Sequence, residues 1–344
     1  VALAALSAPA ATPATTIQQG AYYCPGKTCN ATDGATLDAY RERFGRYPAI
    51  ALNFRDLDQP LLYPGEGASL RARGVTPMLT VEPVVTGKRE VEVPMAAIAA
   101  GRYDTEIETD ARTAAHFPGQ ILLRFAQEMN GPWFPQRSAD PEAFVAAWIR
   151  YVRIFREFGA DNVAYVWTPS VEIGVARPFE PFFPGARYVD YVGLDGYNWG
   201  RSHSRSFSEV FAAGYSRLTE LSDKPVVIGE TASAPGPGKP TWIRDGFLRE
   251  LPQSFPAIKA VVWFSNDLSS DGQRDWRIET SPAATAAWRE VVNSALYGGS
   301  EPVSQLPARQ SAQKSEPSPL LARLATLLLD LVRVLVDALD FAPA

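Results

Sequence analysis

The stretch Ile121-Leu-Leu-Arg-Phe-Ala-Gln-Glu-Met-Asn-Gly131 decides how this chain is read. A short apolar run ends in one acid, Glu128, and gives way to a Gly- and Pro-containing loop, the pattern of a buried strand with a polar tip. A second run, Pro225-Val-Val-Ile-Gly-Glu-Thr-Ala232, has the same form and ends in Glu230. Working outward, eight such runs follow one another at 18–24, 48–54, 77–83, 121–130, 163–170, 189–198, 224–232 and 258–266. Helical patterns lie between most of them. The clearest begins at Asp140-Pro141-Glu142, a cap followed by Pro at the first helical position, and carries Phe144, Trp148, Tyr151 and Phe155 at helical spacing. Strands alternating with helices imply right-handed crossovers and a parallel sheet. Eight repeats over about 280 residues predict an α/β fold, a (β/α)8 TIM barrel. The absence of a Gly-rich dinucleotide fingerprint after the first run argues against an open doubly wound sheet.

In such a barrel Glu128 tips the fourth strand and Glu230 the seventh, and both face one mouth. Two facing carboxylates are the minimal machinery for hydrolysing a glycosidic bond. The remaining composition is compatible with that chemistry. The formal net charge of -5, with no long basic run, argues against a nucleic-acid partner. Eight Trp, 13 Tyr and 17 Phe supply rings that either stack on sugars or fill cores, and composition does not choose between the two. Cys24 and Cys29 are the only cysteines, separated by a Pro-Gly turn and without a nearby His. They make a poor zinc site and a reasonable disulfide, which implies an oxidising compartment. No metal or cofactor is expected.

Side chains alternate along a strand, so parity assigns neighbours. Arg124, Ala126 and Glu128 are expected on one face, with Arg124 inside the barrel and paired to a catalytic carboxylate, since a buried Arg needs an anion. Gly193, Asp195 and Tyr197 share a face of the sixth strand, which puts the Tyr197 hydroxyl within reach of Glu230. Trp263 in the eighth strand is expected to form the floor beneath a bound sugar. His116 reads as structural. His203 reads as a loop residue on the mouth side, with Glu172 similarly placed, and Glu82 is the better candidate for holding a sugar hydroxyl.

Arg124-Phe-Ala-Gln-Glu-Met-Asn-Gly-Pro-Trp-Phe134 resembles the acid/base motif of glycoside hydrolase family 26. The resemblance extends to Glu82-Pro83, Trp167, Asp195-Gly-Tyr-Asn-Trp199, Gly229-Glu-Thr231 and Trp263-Phe-Ser-Asn-Asp267, and covers roughly residues 18–298. It implies a retaining endo-β-glycanase in which Glu128 is the acid/base and Glu230 the nucleophile. Glu82, Arg124, Gln127, Asn130, Trp133, Trp167, Asp195, Tyr197, Trp199 and Trp263 would then contact or organise a β-linked polysaccharide or oligosaccharide. The first substrate it implies is β-1,4-mannan, with β-1,3-1,4-glucan or xylan as alternatives. The sequence departs from the family in one place: Gln127 stands where a His usually precedes the acid/base Glu. That departure keeps a different class in view, a non-catalytic glycan-binding barrel.

The ends of the chain read differently from the barrel. Residues 1–17 are expected to be a residual signal or disordered tail, which points to secretion, with cell-envelope association as a variant. Residues 299–318 read as a linker. Residues 319–344 read as an amphipathic helical tail, apolar across 320–341 apart from Arg323, Asp330, Arg333, Asp337 and Asp340. Five charges in that segment argue against a membrane span. Docking on the barrel, self-association and cell-surface attachment through residues 319–341 all remain compatible with it.

Overall fold

The computed structural model describes residues 16–26, 29–86, 90–171, 176–200 and 202–297. The linker, the C-terminal segment, the first fifteen residues and Glu172 therefore lie outside the described residues. Among the described residues ten strands occur in chain order: β1 (Gln18–Tyr23), β2 (Ile50–Asp56), β3 (Thr76–Glu82), β4 (Val84–Thr86), β5 (Glu90–Glu92), β6 (Ile121–Phe125), β7 (Val163–Trp167), β8 (Tyr191–Asn198), β9 (Val226–Ser233) and β10 (Ile258–Ser265). Eight of them close into a parallel barrel in the order β1-β10-β9-β8-β7-β6-β3-β2. β4 and β5 form an antiparallel hairpin inserted after the third barrel strand. The predicted (β/α)8 architecture is thus observed, with β6 as the fourth barrel strand and β9 as the seventh.

Local sequence explains the helices that cover the barrel. Pro141–Glu157 starts where expected: the Asp140 carboxylate accepts from the Glu142 and Ala143 N–H groups, and Pro141 opens the first turn. Ser206 and Glu209 form a reciprocal capping box at the start of Phe207–Leu221. Ser281 caps Pro282–Val292 by accepting from the Ala284 N–H. Large rings fill the layer between helices and strands. Phe125 stacks on Tyr151 at 4.4 Å, and Trp263 meets Trp288 at 5.2 Å.

Three findings differ from the sequence expectation. Ile17, assigned to the tail, is buried and donates its N–H to Leu296 O at 2.9 Å, so the barrel begins earlier. The fourth strand ends at Phe125 rather than at residue 130, because Ala126 and Glu128 take left-handed conformations that no strand accommodates. Trp263 points away from the mouth, as described below. The expected bond between Cys24 and Cys29 is present, with the Cα atoms 5.3 Å apart. His116 ends the helix Asp104–His116 with Nδ1 2.7 Å from Arg112 O, a structural position.

The covering helices also bury acids, Glu66 and Asp110 among them. Asp110 is 3% exposed, and burial lifts its carboxyl to about 8, opposed by a backbone hydrogen bond from Leu61 and by Arg55. A carboxyl raised above its unfolded value, near 4, stabilises the fold below that value and loses this contribution as pH rises through about 8. The loss is at most about 1.4 kcal/mol per pH unit across the window. Asp110→Asn removes the titration, so its melting temperature should gain on wild type steadily from pH 5 to pH 8. A gap independent of pH would contradict this reading of Asp110.

Candidate active site

The mouth is organised around Arg124 at the upper end of β6, whose side chain is fully buried. Its Nε donates to Thr80 Oγ1 on β3 at 2.8 Å, and its Nη1 lies 3.1 Å from both Asp195 carboxylate oxygens on β8. Its Nη2 donates to Glu230 Oε1 on β9. The parity argument for a buried, carboxylate-paired Arg124 therefore matches the geometry, and the carboxylates it meets include Glu230. Burial opposes the charge on Arg124, but Asp195 and Glu230 outweigh it and raise its pKa. Burial pushes the Asp195 carboxyl up; Arg124 pulls it down, and the nearby charges of Glu230 and Glu128 push it further up. Glycine is required next to this pair. A Cβ on Gly229 would stand 2.6 Å from Asp195 Oδ1 and 2.8 Å from Arg124 Nη1.

Glu230 is 6% exposed. Its second oxygen accepts from the Tyr197 hydroxyl at 2.5 Å, the contact expected from the sequence. Burial, then the charges of Glu230 and Glu128, hold the Tyr197 pKa well above its ordinary value, so Tyr197 stays a phenol that donates. Two donors on two different elements thus hold one carboxylate in a single orientation. Arg124, Asp195 and Tyr197 each feel the charge of both Glu128 and Glu230, which puts the two carboxylates in one mouth.

Glu128 is held differently. It is half-buried on a turn just past β6, and Trp133, itself 39% exposed, donates Nε1 to its Oε2 at 2.7 Å. Ala126 and Glu128 have φ of 49° and 51°, uncommon for residues with a Cβ and costing about 1–3 kcal/mol each. Backbone bonds from Ala126 N to Val81 O and from Glu128 N to Thr168 O secure the turn on both neighbouring strands. Gln127, between them, donates Nε2 to Glu82 Oε1 at 3.1 Å.

The structure redistributes the other residues read from the sequence. Trp263 is fully buried and packs edge-on against Trp242 and Trp288, with its Nε1 donating to Trp276 O, so it braces the helical layer instead of flooring the mouth. The correction is one of parity: its neighbour Phe264 turns inward, stacking on Tyr22 at 5.1 Å and meeting Tyr197 at 6.2 Å. Trp167 is likewise buried outside the barrel interior, against Phe179 and Phe183, and is not a mouth residue. Asn130 is 1% exposed, and its carboxamide is engaged by Ser170 N, Ser170 O and Arg177 O, so it ties together the loops after β6 and β7. Trp199 is half-buried and packs edge-on against Trp276 at 5.0 Å. His203 is exposed in a turn with Gly200, its Nδ1 3.1 Å from Ser202 Oγ. Residues not singled out from the sequence complete the mouth. Tyr22 is close enough to Glu230 and Glu82 for both to raise its pKa after burial, and Phe54 lies 5.8 Å from the Arg124 guanidinium. The inward phase of β10 would have pointed to Phe264, but an apolar run buried on both faces hides its phase.

Fold and site together define a (β/α)8 barrel with two carboxylates in different settings at the C-terminal ends of its fourth and seventh strands. The family model described as glycosyl hydrolase family 26 matches residues 106–233. Endoglucanase H of Acetivibrio thermocellus is 34% identical over 233 residues, 64% of this chain and 25% of that protein. A mannan endo-1,4-beta-mannosidase of Bacillus subtilis is 28% identical over 196 residues, 54% of this chain and 47% of that protein. Among solved structures, a beta-mannanase from a symbiotic protist of the termite Reticulitermes speratus, complexed with gluco-manno-oligosaccharide, superposes with a TM-score of 0.58 at 15% identity. That superposition covers 86% of this chain and 91% of the other and speaks to the fold. The similarity to glycosyl hydrolase family 26 thus runs over residues 106–233 of the chain. The chain spans between a quarter and a half of the length of these two curated relatives.

Arg124 is the member whose loss the barrel should feel most. Arg124→Met leaves Asp195 and Glu230 buried and without their cation, so urea unfolding should report a loss of about 3–5 kcal/mol. A loss under about 1 kcal/mol would show that the carboxylates find compensation elsewhere.

Proposed function

We propose that this barrel is a retaining endo-β-glycanase acting on a β-linked polysaccharide, with Glu230 as nucleophile and Glu128 as acid/base. The observation that carries the reading is the contrast between the two carboxylates. Glu230 is buried and gripped by Arg124 and Tyr197, as a nucleophile held in one orientation should be. Glu128 is half-buried beside an exposed indole, where a proton can be given to a leaving group and later taken from water. Environments that separate two acids in this way assign their roles.

In the first step Glu230 attacks the anomeric carbon as the glycosidic C–O bond breaks and Glu128 protonates the departing oxygen. In the second, Glu128 removes a proton from water as the water oxygen displaces Glu230, which restores both acids and the original configuration. Glu82, Tyr22, Tyr197 and Phe264 border the space where the reacting sugar would lie. β-1,4-Mannan is the first substrate to test. A specific observation favours a second: identity to the protein named Endoglucanase H, 34%, exceeds the 28% to the Bacillus subtilis mannosidase, so a glucan belongs beside it, with β-1,3-1,4-glucan as the form to test. The disulfide accords with action outside the cell.

Incubation with β-1,4-mannan, β-1,3-1,4-glucan and xylan, with products sized by chromatography, should yield short oligosaccharides from one of them. Glu230→Ala should abolish hydrolysis, and azide should not restore a retained product. Glu128→Ala should lose about 100-fold or more on polymer while sparing the first step, the burst of leaving-group release, on substrates whose leaving groups need no proton. Wild-type turnover on polymer in both variants would place the chemistry on other residues, whereas a wild type that binds the polymer without cleaving it would be a non-catalytic glycan binder.

A further inference from the structure

Arg137 is absent from the site read from the sequence, yet its side chain is fully buried, and it is placed where it governs Glu128. It lies in a single helical turn, Pro135–Ser138, that follows the Glu128 loop. Its Nη1 donates to two oxygens of one residue, the Gln127 carbonyl at 3.1 Å and Gln127 Oε1 at 3.0 Å. Its Nη2 donates to Glu82 Oε1 at 3.0 Å, and its Nε lies 3.1 Å from Glu92 Oε1 on the β4–β5 hairpin. The ring of Phe134 covers the guanidinium at 3.6 Å. Glu92 also accepts from Gln136 N, so the hairpin braces the turn that presents Arg137.

Gln127 is the residue between the two left-handed positions, Ala126 and Glu128. A backbone in that region persists only where its surroundings over-determine it. The N–H groups of Ala126 and Glu128 are fixed by the neighbouring strands, and the Gln127 peptide oxygen and carboxamide are fixed by Arg137. A planar fork of donors reaches a carbonyl, a carboxamide and a carboxylate together, which a point charge does not.

We propose that Arg137 is the positioning residue for the acid/base: by clamping Gln127 against Glu82 it sets the direction in which Glu128 leaves the barrel wall. The proposal rests on Glu128 being the proton donor of a glycosidase. Misdirecting Glu128 would then harm proton delivery and leave the attack by Glu230 largely intact.

The test compares wild type with Arg137→Met in the full chain on two substrates. One is β-1,4-mannan or β-1,3-1,4-glucan, whichever the wild type hydrolyses. The other is the 2,4-dinitrophenyl β-glycoside of the matching disaccharide, whose leaving group departs unprotonated, followed by the release of the first equivalent of dinitrophenolate. kcat/KM on the polymer should fall about 100-fold or more, while the dinitrophenolate burst should slow less than about 5-fold. A general disturbance of the fold would slow both alike, so equal losses, or no loss on polymer, overturn the proposal. Should circular dichroism show Arg137→Met to be unfolded, Gln127→Met takes its place: it removes the carboxamide link and keeps the backbone clamp, and its smaller loss must be skewed to the polymer in the same way. Wild-type protein inert on both substrate types would overturn the glycosidase reading itself, whereas an active wild type with uniform losses would overturn only the role of Arg137.

Discussion

A single guanidinium inside the barrel, Arg124, joins three other strands to its own. Thr80 on β3, Asp195 on β8 and Glu230 on β9 all converge on it, with Phe54 of β2 close to its face. A cation out of water is costly unless its donors are engaged, and buried carboxylates are costly unless a cation is near. Neither side of this network is stable without the other. That mutual dependence explains the absence of a side chain at Gly229, where any Cβ would invade the pair. It also means that the orientation of Glu230 is set by the packed interior, since one of its oxygens belongs to Arg124 and the other to Tyr197.

Glu128 is placed by its backbone. It sits past the end of its strand, in a conformation that costs free energy, and is secured by backbone bonds to both neighbouring strands and by contacts around Gln127. The two acids therefore differ in more than exposure. One is fixed by side chains converging in the core, the other by a strained main chain whose direction is imposed from behind. Proton donation to a leaving group and later recovery of a proton from water both need access to the mouth, and a half-buried turn supplies it.

Most of the scaffold was legible because the signals were redundant. Each barrel strand is an apolar run closed by turn residues, and the observed bounds depart from those read in the sequence by a few residues at most, except at the fourth strand. Pairings inside the barrel were legible where a polar residue marked the phase of a strand, as Arg124 did for β6 and Asp195 for β8. β10 carries its marker at the far end, where half-buried Lys259 shares the phase of Trp263; nearer the mouth Val261, Val262, Trp263 and Phe264 are apolar whichever way they face, and the larger ring turns away from the mouth. Trp167, implied by the resemblance alone, packs outside the barrel interior against Phe179 and Phe183. Asn130 was placed near the mouth correctly, but its hydrogen-bonding capacity is spent on the backbone of adjoining loops, which no local pattern announces.

The end of β6 shows how a right placement can follow from an incomplete cause. Alternation carried through Arg124, Ala126 and Glu128 puts the acid in the mouth, and there it is. Yet the strand stops at Phe125, and two left-handed residues bring Glu128 round. A continued strand would fix Glu128 by its own ladder and leave a fully buried arginine at 137 without purpose. A broken one needs something to hold the peptide between the two unusual residues, and that is where the Arg137 guanidinium is found. The burial of Arg137 beside two acids, Glu82 and Glu92, from a hairpin and strand more than forty residues away, is thus the long-range counterpart of a local departure from strand geometry. Sequence reading sees neither half alone, because the strain is a backbone property and its compensation comes from distant segments.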